Sequence, residues 1–214
     1  MTPITFWFDP ISPYAYLAFE RLPEALEGCS YAVSYRPVLF AGLLKHWGQL
    51  GPAEIAPKRD WTYREVLWLA RSRGIELALP AAHPFNPLPL LRLAWACAHE
   101  GLTPSRFVCE SVLRHVWRGG AAADDAGRLS ALEQALAPQR DPRGEAAKAA
   151  VRDATDAAIA RGVFGVPMIE AEGRNFWGFG GLDMLAACLR GDAWFDGPAW
   201  NAAAATPVGV QRRA

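Results

Sequence analysis

The chain is poor in residues that cross-link or bind metal, with four cysteines and four histidines in 214 residues. Cys29, Cys97, Cys109 and Cys188 form no Cys-x-x-Cys pair, and their spacing outlines no disulfide framework. They read as reduced packing residues of a cytoplasmic protein. Cys97, His99, Cys109 and His115 lie close in sequence but at no zinc-finger spacing, so no metal site is expected. Charge of one sign is lacking too. Twenty-two lysines and arginines balance 22 aspartates and glutamates. That balance removes the electrostatic argument for a nucleic-acid partner and for an anionic membrane. No apolar run approaches the roughly eighteen residues that a membrane helix needs. No basic residue precedes Arg21, and Asp9 interrupts the early apolar run, so the N-terminus does not read as a secretory signal.

What is present is an ordinary globular composition, 51% hydrophobic and 21% charged. The length suits one domain, or one domain carrying a large insertion, and is enough to bury a core without staples. Residues 4–8, Ile-Thr-Phe-Trp-Phe, read as a short buried strand ended by Asp9-Pro10. Ser12-Pro13 then combines a preferred N-cap with proline at the first helical position. Helical spacing continues through Tyr14, Leu17, Ala18, Arg21 and Leu22 to a stop at Gly28. Residues 30–36 alternate and predict a second strand. A parallel pair with a right-handed crossover is the default for such a unit.

From about residue 41 to 160 the pattern is helical almost throughout. Asp60 is expected to cap a helix closed by Gly74, and 80–89 is a proline-rich loop holding His83 and Asn86. Further helices are expected over 90–98, over 104–118 opened by Thr103-Pro104, and over 144–161. Residues 121–150 are alanine-rich and charged, with breaks at Pro138 and Pro142. A strand over 166–171, a turn at Glu172-Gly173, a strand over 175–177 and a helix over 182–189 close the pattern. The tail over 202–214 is expected to be mobile. The order is thus βαβ, a helical block, then ββα. The expected fold is α/β: a thioredoxin-like domain, residues 1–38 plus 160–195, split by a helical insertion over 39–159. Several α/β folds share the opening unit.

Two segments go beyond pattern. Phe8-Asp9-Pro10-Ile11-Ser12-Pro13-Tyr14-Ala15-Tyr16-Leu17-Ala18 resembles the N-terminal signature of the 2-hydroxychromene-2-carboxylate isomerases. Gly162-Val163-Phe164-Gly165-Val166-Pro167-Met168 is similar to the segment holding that family's cis-proline. The stretches 51–55, 61–64 and 83–88 also resemble members of the group, so the likeness runs from about residue 4 to 190. It implies a DsbA-like thioredoxin fold related to the kappa-class glutathione transferases. It also implies a homodimer with glutathione bound beside the N-terminus of the first helix. The family's activity interconverts 2-hydroxychromene-2-carboxylate and trans-o-hydroxybenzylidenepyruvate.

On this resemblance Ser12-Pro13-Tyr14-Ala15 stands where disulfide oxidoreductases of the fold carry Cys-x-x-Cys. Without sulfur at either end, thiol–disulfide exchange is excluded there. A helix N-terminus with a hydroxyl favours an anion, here a glutathione thiolate. Serine with no histidine base nearby in sequence is a poor nucleophile, so Ser12 is assigned to thiolate stabilisation. The resemblance further implies a cis Val166-Pro167 bond, with the Val166 backbone pairing with the glutathione cysteinyl unit. Trp177, Phe179 and Gly180 fall where the family meets glutathione, and Lys45 and Asn86 where it holds substrate. Plain readings compete at each: an N-cap for Ser12, an edge-strand proline for Pro167, a solvated lysine, a turn asparagine. Trp47, Trp61, Trp68 and Trp117 are expected to line an aromatic pocket or, as helix-spaced aromatics more often do, to pack in the core, and none is assigned to the site. One departure stands out. Related proteins carry a polar residue, an aspartate and an arginine after Trp-Gly or Phe-Gly, where this chain reads Trp177-Gly178-Phe179-Gly180-Gly181. Gly180 stands at the aspartate position and Gly181 at the arginine position, so the side chain that would pair with the γ-glutamyl amine is missing. A glutathione-dependent isomerase is the leading expectation. A kappa-like transferase or peroxidase and a non-catalytic binding protein on the same fold are the alternatives.

Overall fold

The computed structural model describes residues 1–210. Strand β1 (Thr2–Phe8), helix α1 (Pro13–Ala25) and strand β2 (Tyr31–Pro37) open the chain. β1 and β2 pair in parallel, from Thr2 opposite Tyr31 to Phe8 opposite Pro37. After a long helical stretch, β3 (Met168–Ala171) returns antiparallel to β1, and β4 (Arg174–Trp177) pairs antiparallel with β3. The sheet order is β2-β1-β3-β4, so β1 is central. The period-2 pleat then explains the sequence of β1. Ile4, Phe6 and Phe8 enter one hydrophobic cluster with α1, while Trp7 enters a second on the opposite face. The tight turn from β3 to β4 places Glu172 at φ 50° and Gly173 at φ 74°, the left-handed pair that suits a two-residue hairpin.

Between β2 and β3 run α2 (Phe40–Trp47), a 3₁₀ turn (Pro52–Glu54), α3 (Ala56–Ser72), α4 (Leu88–Ala96), α5 (Arg106–Trp117), α6 (Ala126–Leu136) and α7 (Glu145–Ala160). After β4 come α8 (Gly181–Leu189), a 3₁₀ turn (Ala193–Asp196) and α9 (Pro198–Ala204). The helical stretch shares its core with the sheet. Val112, Leu113, Val116 and Trp117 of α5 pack in the same cluster as Phe6, Phe8 and Phe19. On the other face, Leu91 and Trp95 of α4 and Val151, Ala154 and Ala158 of α7 cover Trp7 and Met168.

Several boundaries differ from the sequence expectation. α3 begins at Ala56 with proline in its first turn, four residues before Asp60, which is exposed inside the helix and caps nothing. The cap of α5 is Ser105, whose Oγ accepts the Val108 N–H at 3.3 Å, and not Thr103. α4 starts at Leu88, because Pro89 is tolerated where a helix has no N–H acceptor to supply. α6 interrupts the alanine-rich stretch; Asp125 caps it, and none of its residues is fully buried. Its signal is therefore capping and propensity rather than an apolar stripe. The expected mobile tail overlaps α9, whose Trp200 ring lies 5.3 Å from Phe195. Residues 205–210 are exposed, and 211–214 lie outside the described residues.

One buried hydroxyl ties α7 to the connection between β2 and α2. Thr155 Oγ1 donates to Val151 O at 2.7 Å and accepts the Leu39 N–H at 3.0 Å. Thr155→Val keeps the shape and strands that N–H. Urea unfolding is expected to show a loss of about 1–3 kcal/mol; an unchanged midpoint would mean the bond contributes nothing.

Candidate functional site

Residues 9–12 connect the end of β1 to the start of α1. Ser12 sits at the N-cap with φ −89° and ψ 117°. Its Oγ accepts the Ala15 N–H at 3.2 Å and donates to Val166 O at 3.2 Å. The residue is 8% exposed. Pro13 has no N–H, and Ala15 and Tyr16 both donate to Ser12 O. Among the described residues, the Tyr14 N–H has no acceptor. The helix start thus offers one free N–H beside a hydroxyl, on the positive end of the helix dipole.

Groups from distant elements hold this connection. Asp9 is fully buried. Its Oδ1 accepts the Ile11 N–H at 3.0 Å and its Oδ2 the Phe40 N–H, the first of α2, at 2.9 Å. Burial pushes its carboxyl up to about 7, against the opposing pull of those two N–H groups. Pro10 O accepts from Trp117 Nε1 at 2.8 Å. Ile11 O accepts from His83 Nε2 at 2.7 Å, so His83 Nδ1 accepts from the Tyr63 hydroxyl at 2.8 Å. Burial lowers the His83 pKa, against the bond to Ile11, and favours this neutral form. Both ring nitrogens are therefore engaged. His83 lies near Ser12 through Ile11 yet gives it no base. Asp9, Trp117 and His83 are positioning residues that the sequence reading did not identify as such. An aspartate inside an apolar run was the available signal for the first.

The segment facing Ser12 is Val163–Met168. The Val166-Pro167 bond is cis, as is His83-Pro84, which the sequence reading did not anticipate. Trp47 Nε1 donates to Val163 O at 2.9 Å, joining the end of α2 to this segment. Trp177 lies across it: its ring meets Phe164 edge-on at 5.0 Å. A Cβ on Gly165 would lie 2.9 Å from Trp177 Nε1, so the glycine admits the ring. Gly178 N donates to Pro167 O at 2.9 Å. The Val166 N–H has no acceptor among the described residues, whereas its carbonyl already takes the Ser12 proton.

The remaining sequence candidates separate. Phe179 is 8% exposed and lies in the core, with the Arg21 guanidinium 5.5 Å from its ring centre. Only its backbone is left for a ligand. Arg21 also meets Asp183, in the first turn of α8, at 3.3 Å. Gly180 is exposed at the N-cap of α8, with nothing within 4 Å of a Cβ built there. At Gly181 a Cβ would lie 3.0 Å from the Phe176 backbone, so that glycine is a packing requirement. Lys45 is exposed on α2, two residues before Trp47. Asn86 is exposed, and its Oδ1 accepts the Leu88 N–H at 3.1 Å, the turn role, which leaves its amide nitrogen available. Trp117 is buried, Trp47 is bonded to Val163, and Trp61 and Trp68 are each 64% exposed on α3. The Tyr14 hydroxyl bonds to Glu65 of α3, one further group beside the helix start.

No cluster able to hold a metal occurs among the described residues. The four cysteines are free. Burial raises the Cys97 thiol to about 11 and pushes those of Cys109 and Cys188 up as well, which keeps them protonated.

A DSBA-like thioredoxin domain family model matches residues 3–190. A 2-hydroxychromene-2-carboxylate isomerase from Sphingobium xenophagum is 27% identical over 196 residues, covering 87% of this chain and 97% of its own. Glutathione S-transferase kappa 1 from Rattus norvegicus is 26% identical over 206 residues, covering 88% and 90%. A solved structure of a selenomethionine 2-hydroxychromene-2-carboxylate isomerase aligns with TM-score 0.77 at 25% identity, over 95% of this chain and 100% of that one.

The raised Asp9 carboxyl makes stability depend on pH. Its folded pKa of about 7 exceeds the ordinary 3.8, so the unfolded chain releases this proton first. The contribution is full below about pH 4 and is lost as pH rises through 7, a span on the order of 4 kcal/mol. In Asp9→Asn, urea unfolding between pH 4 and 8 is expected to lack that component of the slope; an identical pH dependence in both proteins would exclude it.

Proposed function

The chain belongs to the DSBA-like thioredoxin family, and from that premise we propose that it is a glutathione-dependent isomerase of the 2-hydroxychromene-2-carboxylate type. One observation carries the reading. At the α1 N-terminus, Ser12 faces Val166 of the cis-proline segment across 3.2 Å, with alanine at position 15. The place of a redox dithiol holds a hydroxyl, a free N–H and no sulfur. That set can steady a thiolate but cannot exchange a disulfide.

The residues fit glutathione. The Ser12 Oγ–H, now on Val166 O, would be the hydroxyl donor to a bound sulfur, and the Tyr14 N–H and the helix dipole would add to it. The Val166 N–H is left to pair with the cysteinyl carbonyl as a neighbouring strand would. At the α8 start the Gly181 and Leu182 N–H groups already donate to Gly178 O and Phe179 O, so the Gly180 N–H is what would meet the γ-glutamyl end. Trp177 covers Gly165 at the rim. When bound, glutathione supplies a thiolate that adds reversibly to a conjugated carbon of the substrate and leaves again, without net redox change. Lys45 neutralises the substrate carboxylate, and the Asn86 amide nitrogen is free to donate to a substrate oxygen. The reading includes a homodimer in the cytoplasm, which sedimentation and fractionation test.

Calorimetry of glutathione binding to the native protein and to Ser12→Ala tests the core of this reading. Binding with proton release is expected in the native protein, with less release in the variant. The isomerase rate of Ser12→Ala is expected to fall roughly 10²-fold, the usual effect of removing one preorganised donor. Glutathione recovered unchanged marks an isomerase, whereas a stable thioether marks the kappa-like transferase. Absence of binding at millimolar glutathione sinks both.

Gly180→Asp is a gain-of-affinity test. The position has room, and the resemblance puts an acidic side chain there. Glutathione affinity is expected to rise roughly three- to tenfold through a charged hydrogen bond to the γ-glutamyl amine. An affinity that stays level or falls would mean that this end of the ligand lies elsewhere.

A further inference from the structure

α4 and α7 flank an open groove of about 210 Å³ beside the connection from β2 to α2, and Ser12 is not among its lining residues. Leu39, Leu88 and Val151 give it an apolar wall. Arg92, Lys148 and Arg152 bring three cations to the lining, and Asp156 one carboxylate. Thr155 also lines it, with its hydroxyl committed to Val151 and Leu39. Two of the cations have weak claims on their charge. Lys148 meets Glu145 at 2.6 Å and Arg152 lies 3.7 Å from Asp153, but both carboxylates are largely exposed. Arg92 has no ion pair among the described residues, and its Nε is buried without a hydrogen-bond partner. A buried guanidinium N–H left unmatched is costly, and an anion beside it relieves that cost.

We propose that this groove binds a small aromatic monocarboxylate. Its volume exceeds the roughly 150 Å³ that a benzene ring occupies in an enclosed apolar cavity, so a ring has room to lie on the apolar wall with its carboxylate at the cations. The apolar wall matches the ring, and a planar guanidinium matches the carboxylate in two-point geometry. Asp156 on the same lining repels a second negative charge, which disfavours phosphate and dicarboxylates. The site does not depend on the glutathione reading. Its apolar wall packs in the same hydrophobic cluster as Val163 and Val166 of the segment facing Ser12, and hydrogen bonds also join the two. Leu39, on its wall, donates to Thr155, and the next residue, Phe40, donates to Asp9.

The test is calorimetric titration of the full chain with benzoate at neutral pH. Saturable one-to-one binding is expected with Kd of about 0.1–1 mM. Arg92→Gln and Arg152→Gln are each expected to weaken it roughly five- to tenfold. Asp156→Asn is expected to tighten it roughly twofold or more. This opposite sign keeps the test informative should an arginine variant fold poorly. Ser12→Ala should leave it unchanged, and inorganic phosphate should not displace benzoate. The proposal is overturned by absence of saturable binding, by affinity indifferent to both arginine variants, by loss in Ser12→Ala, which places benzoate beside Ser12, or by displacement with phosphate.

Discussion

The site rests on one buried carboxylate. Asp9 accepts N–H groups from Ile11 and Phe40, and so joins the connection before α1 to the first residue of α2. α2 in turn reaches the cis-proline segment through Trp47 and Val163. Three stretches of chain that meet around Ser12, at positions 9–12, 38–47 and 163–167, are thus linked through a group that titrates near neutrality. Backbone that leaves a strand inside a protein must still satisfy its polar groups. Here the carbonyls of Pro10 and Ile11 are met by Trp117 and His83. The helices between β2 and β3 are therefore structural partners of the site as well as its walls.

That arrangement decides what Ser12 can do. A serine acting as nucleophile needs a base to take its proton. The histidine closest in the bond network spends both ring nitrogens on Ile11 and Tyr63. The Ser12 proton lies on a carbonyl, an acceptor weaker than a thiolate, and the N–H of Tyr14 has no partner among the described residues. An arriving anion would collect both donors with little rearrangement, which is the form that preorganised electrostatic stabilisation takes.

Much of this frame was legible in the sequence. The alternation in β1, Ser12-Pro13 at a helix start, the turn at Glu172-Gly173 and the βαβ…ββα order all have local causes, and each is found near the expected place. The helix starts that moved are those where two local signals competed. Proline at N1 or N2 outweighs Asp60 in α3, and Ser105 outweighs Thr103 in α5. α6 has no fully buried residue, so its periodicity was faint. The clamps were not legible at all. Nothing local in His83 or Trp117 says that it will find the carbonyl of a residue more than 70 positions earlier. Phe179 was misleading for the same reason, because adjacency to Gly180 does not tell which way an aromatic ring turns.

The pair Gly180-Gly181 carries this argument to the ligand. The two residues are identical, and the sequence treats them as one departure from the family pattern. Their surroundings separate them. At 181 a side chain meets the Phe176 backbone, so glycine there follows from the way α8 leaves β4. At 180 a side chain meets nothing, and the backbone φ of −68° suits any residue. Glycine at 180 is therefore required by neither packing nor conformation. The fold is indifferent to it, and what it changes is the set of groups that a ligand encounters at the start of α8. On the proposed glutathione reading, a site that keeps its thiolate-facing donors while leaving this end bare would hold the ligand mainly by the sulfur and the cysteinyl backbone. It would then tolerate variation at the γ-glutamyl end more readily than at the thiol.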